Sequence, residues 1–156
     1  MFTISVKRKN PGAVQKLARA LTGPRQVKVG FPAGAADGDV INRAVWNEFG
    51  TRGGASGGGW GGPIPERPFM RNAMRDNLSK YRNAMKSSAA PILLGKSTLR
   101  QTLSKLGILA QSDIQGEITA LTSPANSPVT VERKGSSKPL IDTGEMRASV
   151  TWKVDE

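Results

Sequence analysis

The chain has 156 residues, with 23 Lys or Arg against 12 Asp or Glu and a net charge of +11; it has room for one domain around one core. It contains no Cys and no His, which excludes disulfides, zinc fingers, thiol nucleophiles, Ser-His-Asp triads and imidazole acid–base catalysis. Aromatics make up 5% of residues and hydrophobics 37%, so the core is small and contacts between subunits can complete it, while the charge favours an anionic partner or a large assembly.

Phe2, Ile4 and Val6 alternate with Thr3 and Ser5 and predict a half-buried strand, ended by Asn10-Pro11-Gly12. Val14, Leu17, Ala18 and Leu21 predict a short amphipathic helix over 13–21, closed by Gly23-Pro24. Val27, Val29 and Phe31 predict a strand over 26–31 that breaks at Pro32. Asp37 and Asp39 then cap a second helix through Val40, Ile41, Ala44, Val45 and Glu48, stopped at Gly50-Thr51. Eight of the thirteen residues 50–62 are Gly, a composition too costly in entropy to order itself, and an arm or flexible loop is expected there.

Ile64-Pro65-Glu66-Arg67-Pro68 stiffens the chain, and Pro68 suits the first turn of a helix. One face of that helix is Phe69, Met70, Ala73, Met74, Leu78, Tyr81 and Met85, and it ends at Ala90-Pro91. A second long helix is predicted over about 97–121 from Leu99, Leu103, Leu106, Ala110, Ile114 and Ile118, N-capped by Ser97 and weakened by Gly107 and Gly116. Residues 123–128 are turn-rich, and 129–135 fit either a short helix or a strand. Asp142 and Glu145 have the spacing of a capping box for a turn or two through Ala148, and Val150, Trp152 and Val154 alternate as a final strand. The expected fold is therefore α+β in a single domain over 1–156. A small, mainly antiparallel sheet of N- and C-terminal strands carries two long helices on one face, with the Gly-rich arm at 50–62.

Several local patterns invite a chemical reading. Ala90 to Ser97 fits a relaxed phosphate-loop pattern, but a helix precedes it, Pro91 removes an N–H, and Ile92, Leu93 and Leu94 are bulky where such a loop is bare; a helix-to-helix turn is expected instead. Gly57, Gly59 and Gly62 fit a dinucleotide fingerprint without the flanking strand and helix. Trp60 is either incidental or an anchor for a partner's pocket. Asp37, Asp39, Glu48 and Glu66 have simple roles as helix caps, as a partner of Arg52 four residues on, or at a turn, and no nucleophile–base pair is evident. No enzymatic activity, metal or cofactor is expected. Arg67, Arg71 and Arg75 repeat every four residues and form either a DNA-facing stripe or the solvated back of a helix. The first ten residues lack the apolar run of a secretory signal and no window holds 18 apolar residues, so a soluble protein of a cytoplasm, not of a membrane, is expected.

Two blocks go beyond composition: Asn47-Glu48-Phe49-Gly50-Thr51 followed by Ile64-Pro65-Glu66-Arg67-Pro68-Phe69, and Pro139-Leu140-Ile141-Asp142-Thr143-Gly144-Glu145-Met146-Arg147-Ala148-Ser149. In their order and spacing they resemble a family of small tailed-phage virion proteins, the neck, tail-completion or virion-morphogenesis proteins. The resemblance covers roughly residues 25–71 and 126–154, and the glycine tract is longer than the family pattern. It implies a non-enzymatic ring subunit at the head–tail junction, hexameric by analogy with tail symmetry or else dodecameric, located in the virion and in the host cytoplasm during assembly. It further implies head-closure or adaptor proteins and tail-terminator or tail-tube proteins as partners, with DNA passing through the lumen. Glu48, Phe49, Trp60, Arg67, Pro68 and Phe69 are then the expected subunit contacts. The competing expectation is a free basic nucleic-acid-binding protein.

Overall fold

The structure, a computed structural model, describes residues 12–32, 34–52 and 63–155. The strand expected over 2–6, the arm over 53–62 and Trp60 within it lie outside the described residues. The fold is α+β with a two-stranded antiparallel sheet. Its described elements are α1 (Ala13–Ala20), β1 (Gln26–Gly30), α2 (Gly38–Phe49), α3 (Phe69–Asp76), α4 (Leu78–Leu93), α5 (Leu99–Ala120), α6 (Pro128–Lys134), α7 (Glu145–Ala148) and β2 (Thr151–Asp155).

The sheet joins the two ends of the described chain. Val27 stands opposite Val154 and Val29 opposite Trp152, so the period of two puts all four apolar side chains on one face. Lys28 and Lys153 oppose each other on the other face, where Asp155 takes the Lys28 Nζ at 2.6 Å. α5 packs against both strands. Leu103 and Leu106 of α5 are buried with Val154, and Val27, Tyr81, Ala84 and Trp152 close around them. Gly107 makes this approach possible, since a Cβ there would lie 2.6 Å from the Trp152 ring. A second cluster gathers Val40 and Ala44 of α2, Phe69 and Ala73 of α3, Ile114 and Ile118 of α5, and Leu140, Met146 and Val150 from the C-terminal block.

Four expectations are corrected. The helix beginning at Phe69 is two helices, interrupted at Asn77, whose side-chain Nδ2 donates to the Ala73 carbonyl at 3.0 Å and competes with the backbone for that acceptor. α4 also runs past Pro91, which sits in its last turn. α5 is capped by Thr98 rather than Ser97: Thr98 Oγ1 accepts from Gln101 N while the Gln101 side chain accepts from Thr98 N. Ser97 has Arg100 three residues on, which cannot close such a box. Asp142 and Glu145 form no capping box, because the residue before α7 is Gly144 at φ 82°. The Glu145 carboxylate pairs with Arg43 of α2 at 2.7 Å. The open choice at 129–135 falls to helix: Ser127 Oγ accepts from Thr130 N, and Gly135 at φ 65° ends α6.

Candidate functional site

The two halves of the first sequence block meet where the chain leaves α2 and returns to α3. Gly50 stops α2 at φ 70°, a conformation that favours glycine, and any Cβ there would lie 3.0 Å from the Ile64 carbonyl. The departing and returning strands of chain are tied there. Thr51 N donates to the Ile64 carbonyl at 2.9 Å, and Ile64 N donates to Thr51 Oγ1 at 3.0 Å.

Glu48 is the centre of this clasp. Its carboxylate is 4% exposed and accepts from Met70 N at 2.9 Å and Arg71 N at 3.1 Å, so it satisfies two of the unpaired N–H groups at the start of α3. Arg71 Nε donates to the same carboxylate at 2.9 Å and its Nη2 to the Glu48 carbonyl at 2.6 Å. Glu66 also receives Arg71. These hydrogen bonds to Glu48 and then Glu66 push the Arg71 guanidinium above its ordinary pKa. Its charged carbon lies 5.1 Å from the Phe49 ring centroid, over its face. The expected pairing of Glu48 with Arg52 is therefore replaced by a partner more than twenty residues on. The short spacing loses because Glu48 points into the core beside α3.

Arg67 locks the clasp to the C-terminal half. It is 4% exposed; Nε donates to the Pro124 carbonyl at 2.7 Å, Nη2 to the Ala125 carbonyl at 3.0 Å and to Asn126 Oδ1 at 3.2 Å, and Nη1 to Asn47 Oδ1 at 3.0 Å. Burial pushes this guanidinium below its ordinary pKa. Its four acceptors are neutral carbonyl oxygens, and the planar fork is what can meet four of them together. Arg67 N also donates to the Asn47 carbonyl at 2.6 Å. Pro68 precedes α3 as its N-cap residue, and Phe69 is fully buried.

The arginine stripe is corrected by this geometry. Arg67 lies before α3 and inside the protein, Arg71 is half exposed but held by two carboxylates, and Arg75 is exposed, with Asp76 Oδ1 at 3.2 Å. Glu48 and Phe69, expected at subunit contacts, are buried within the chain, whereas Phe49 is 64% exposed. The sequence reading missed Asn47 and Asn126, which position Arg67. The signal for Asn47 was present, since it opens the first block.

The clasp borders a groove of about 770 Å³. Arg43, Asn47, Pro65 and Arg67 form one side, and Asn126, Arg133, Leu140 and Glu145 face them. Beside it, α2 presents Val45, Trp46 and Phe49 to solvent while burying Val40, Ala44 and Glu48. Among the described residues no group of three or more Asp and Glu comes together as a metal site. The segment that fits a relaxed phosphate-loop pattern is the end of α4 and the turn into α5, as expected: Lys96 N and Ser97 N both donate to the Pro91 carbonyl, at 2.8 and 3.2 Å, so those N–H groups are already used. Among the described residues no helix is long and apolar enough to cross a membrane. Compared with known proteins, the chain matches no family model, no curated protein and no solved structure.

Proposed function

We propose that the protein is a structural, non-enzymatic subunit of a tailed-phage particle, a neck or tail-completion protein that forms a closed ring at the head–tail junction. The observation that carries this reading is the outward face of α2. Trp46 and Phe49 stand 47% and 64% exposed beside Val45, a row of large apolar groups next to the pinned base of the arm. A protomer with few aromatics gains by covering them with a second copy. The two blocks that carry the family resemblance share one core cluster, with Phe69 of the first buried alongside Leu140 and Met146 of the second, which supports reading them as one unit.

In a ring, each α2 face meets the neighbouring subunit. Six copies follow the symmetry of tails, with twelve as the other closed arrangement. The ring contacts head-closure or adaptor proteins on one side and tail-terminator or tail-tube proteins on the other, with DNA in the lumen. Particles assembled without this protein should accumulate as filled heads and separate tails. Normal infectious particles in its absence, or purified virions lacking the chain, would overturn the proposal.

A further inference from the structure

The positive charge is unevenly distributed. Residues 77–112 contain Lys80, Arg82, Lys86, Lys96, Arg100 and Lys105 and neither Asp nor Glu, so more than half of the net charge of +11 lies in less than a quarter of the chain. This stretch is α4, the turn after it and the first half of α5. Lys80 is matched from outside the stretch by Asp113, at 2.5 Å. The other five cations are all exposed, and among the described residues no carboxylate pairs with Arg82, Lys86, Lys96 or Lys105.

The arrangement is a track. Between the two helices runs a groove of about 850 Å³. Lys96, Arg100 and Lys105 line it from the α5 side, and Ala84, Ser87 and Ser88 make a low wall from α4. Arg82 and Lys86 stand one helical turn apart on the side of α4 away from the groove, since each is two positions, or about 200° of helix, from Ala84.

We propose that the α4–α5 hairpin is a binding surface for duplex nucleic acid, following the phosphate backbone with Lys96, Arg100 and Lys105. Charge complementarity selects the occupant: a row of cations along a groove, of which Lys96 and Lys105 have no carboxylate partner among the described residues, fits a linear polyanion and binds it without reading its bases. A lipid surface is the weaker fit. Leu93 and Leu94 at the turn are exposed, but the cations extend along α5 rather than ringing that tip. The inference depends on the proposed ring only for placing the DNA in a lumen; the surface belongs to the protomer.

The test is the salt dependence of binding to a short mixed-sequence duplex by the full chain. Each lost phosphate contact lowers the slope of log affinity against log salt by about 0.9, so the Lys96→Gln/Arg100→Gln/Lys105→Gln variant should lose about 2–3 from the slope and at least about tenfold in affinity at low salt. A variant of equal net charge, Arg25→Gln/Arg52→Gln/Arg133→Gln, changes exposed cations outside the hairpin and should keep nearly the wild-type slope. An Arg82→Gln/Lys86→Gln variant removes two cations from the side of α4 away from the groove and should also keep nearly the wild-type slope. Equal losses in the hairpin and control variants, or no duplex binding by the wild type, would overturn the proposal. So would a hairpin variant that loses binding to phosphatidylserine vesicles while retaining duplex affinity. Absence of the wild-type chain from virions would refute the ring and leave this surface standing, whereas a hairpin variant that enters particles yet binds duplex like the wild type would refute the surface alone.

Discussion

Gly107 and Gly116 lie on the same helix and answer opposite demands. A Cβ on Gly107 would meet the Trp152 ring at 2.6 Å, whereas one on Gly116 would meet nothing within 4 Å. Replacing a mid-helix Gly by Ala gains about 1 kcal/mol of helix propensity, but overpacking a filled contact costs about 1–3 kcal/mol. Gly116→Ala should therefore raise the unfolding midpoint and Gly107→Ala should lower it, as thermal melts of the two variants will show. Glu48 gives a second contrast. Its two oxygens accept from two backbone N–H groups and from Arg71, and Glu48→Gln keeps the shape while turning one acceptor into a donor that faces donors. Hydrogen bonds to a charged group contribute about 1.5–3 kcal/mol, so this variant should lose about 2–3 kcal/mol in denaturant titrations. Neither residue announced its role in the sequence: both looked like local helix features, and their partners are 45 and about 22 positions away.

Among the elements, those with a strong internal period were the ones readable from residues alone. The alternation of Val27 and Val29 and of Trp152 and Val154 predicts both strands, and their pairing follows. The spacing from Leu99 to Ile118 predicts α5 almost to its ends. What escaped the sequence depends on contacts that period does not encode: the break at Asn77, the burial of Arg67, and the shift of the α5 cap by one residue to Thr98. That cap can be measured directly, since Thr98→Ala should cost about 1 kcal/mol and Ser97→Ala much less. The packing of α4 on α5 has its own reporter in Tyr81, the single Tyr of the chain. Its hydroxyl donates to Asp113 at 2.8 Å; burial first, then that hydrogen bond and the charge of Asp113, push its pKa well up from the ordinary value. A raised folded value means that the contribution to stability is complete below the unfolded value of about 10 and is lost as pH rises through the folded one. Tyrosinate absorption should therefore be absent from the folded protein in the first unit above about pH 10 and emerge together with alkaline unfolding. Ionisation at an ordinary pKa with the fold intact would show that the Tyr81–Asp113 contact is not maintained.

For the whole molecule, the apolar face of α2 and the cationic hairpin make opposite demands on salt. Copies that each carry +11 repel one another, and at low ionic strength this repulsion reaches well beyond contact; at about 0.15 M it is screened within roughly 8 Å. The proposed association through Val45, Trp46 and Phe49 would be driven mainly by apolar burial, which salt does not weaken. Self-association of the free protein should therefore strengthen as salt rises. Duplex binding by the hairpin should weaken over the same range, because it releases counterions. Sedimentation across a salt series, with and without duplex, separates the two effects. Trp46→Ser should abolish the salt-strengthened association and leave the duplex slope unchanged, since Trp46 is about half exposed on α2 and outside the hairpin. DNA and subunit contacts should also reinforce each other at low salt, where a duplex neutralises the charge that keeps the copies apart. Addition of duplex at low salt should then promote oligomers that the protein forms alone only at high salt. Association that falls with salt along with duplex binding would mean that the contacts between copies are ionic, and the α2 face would not be the subunit interface.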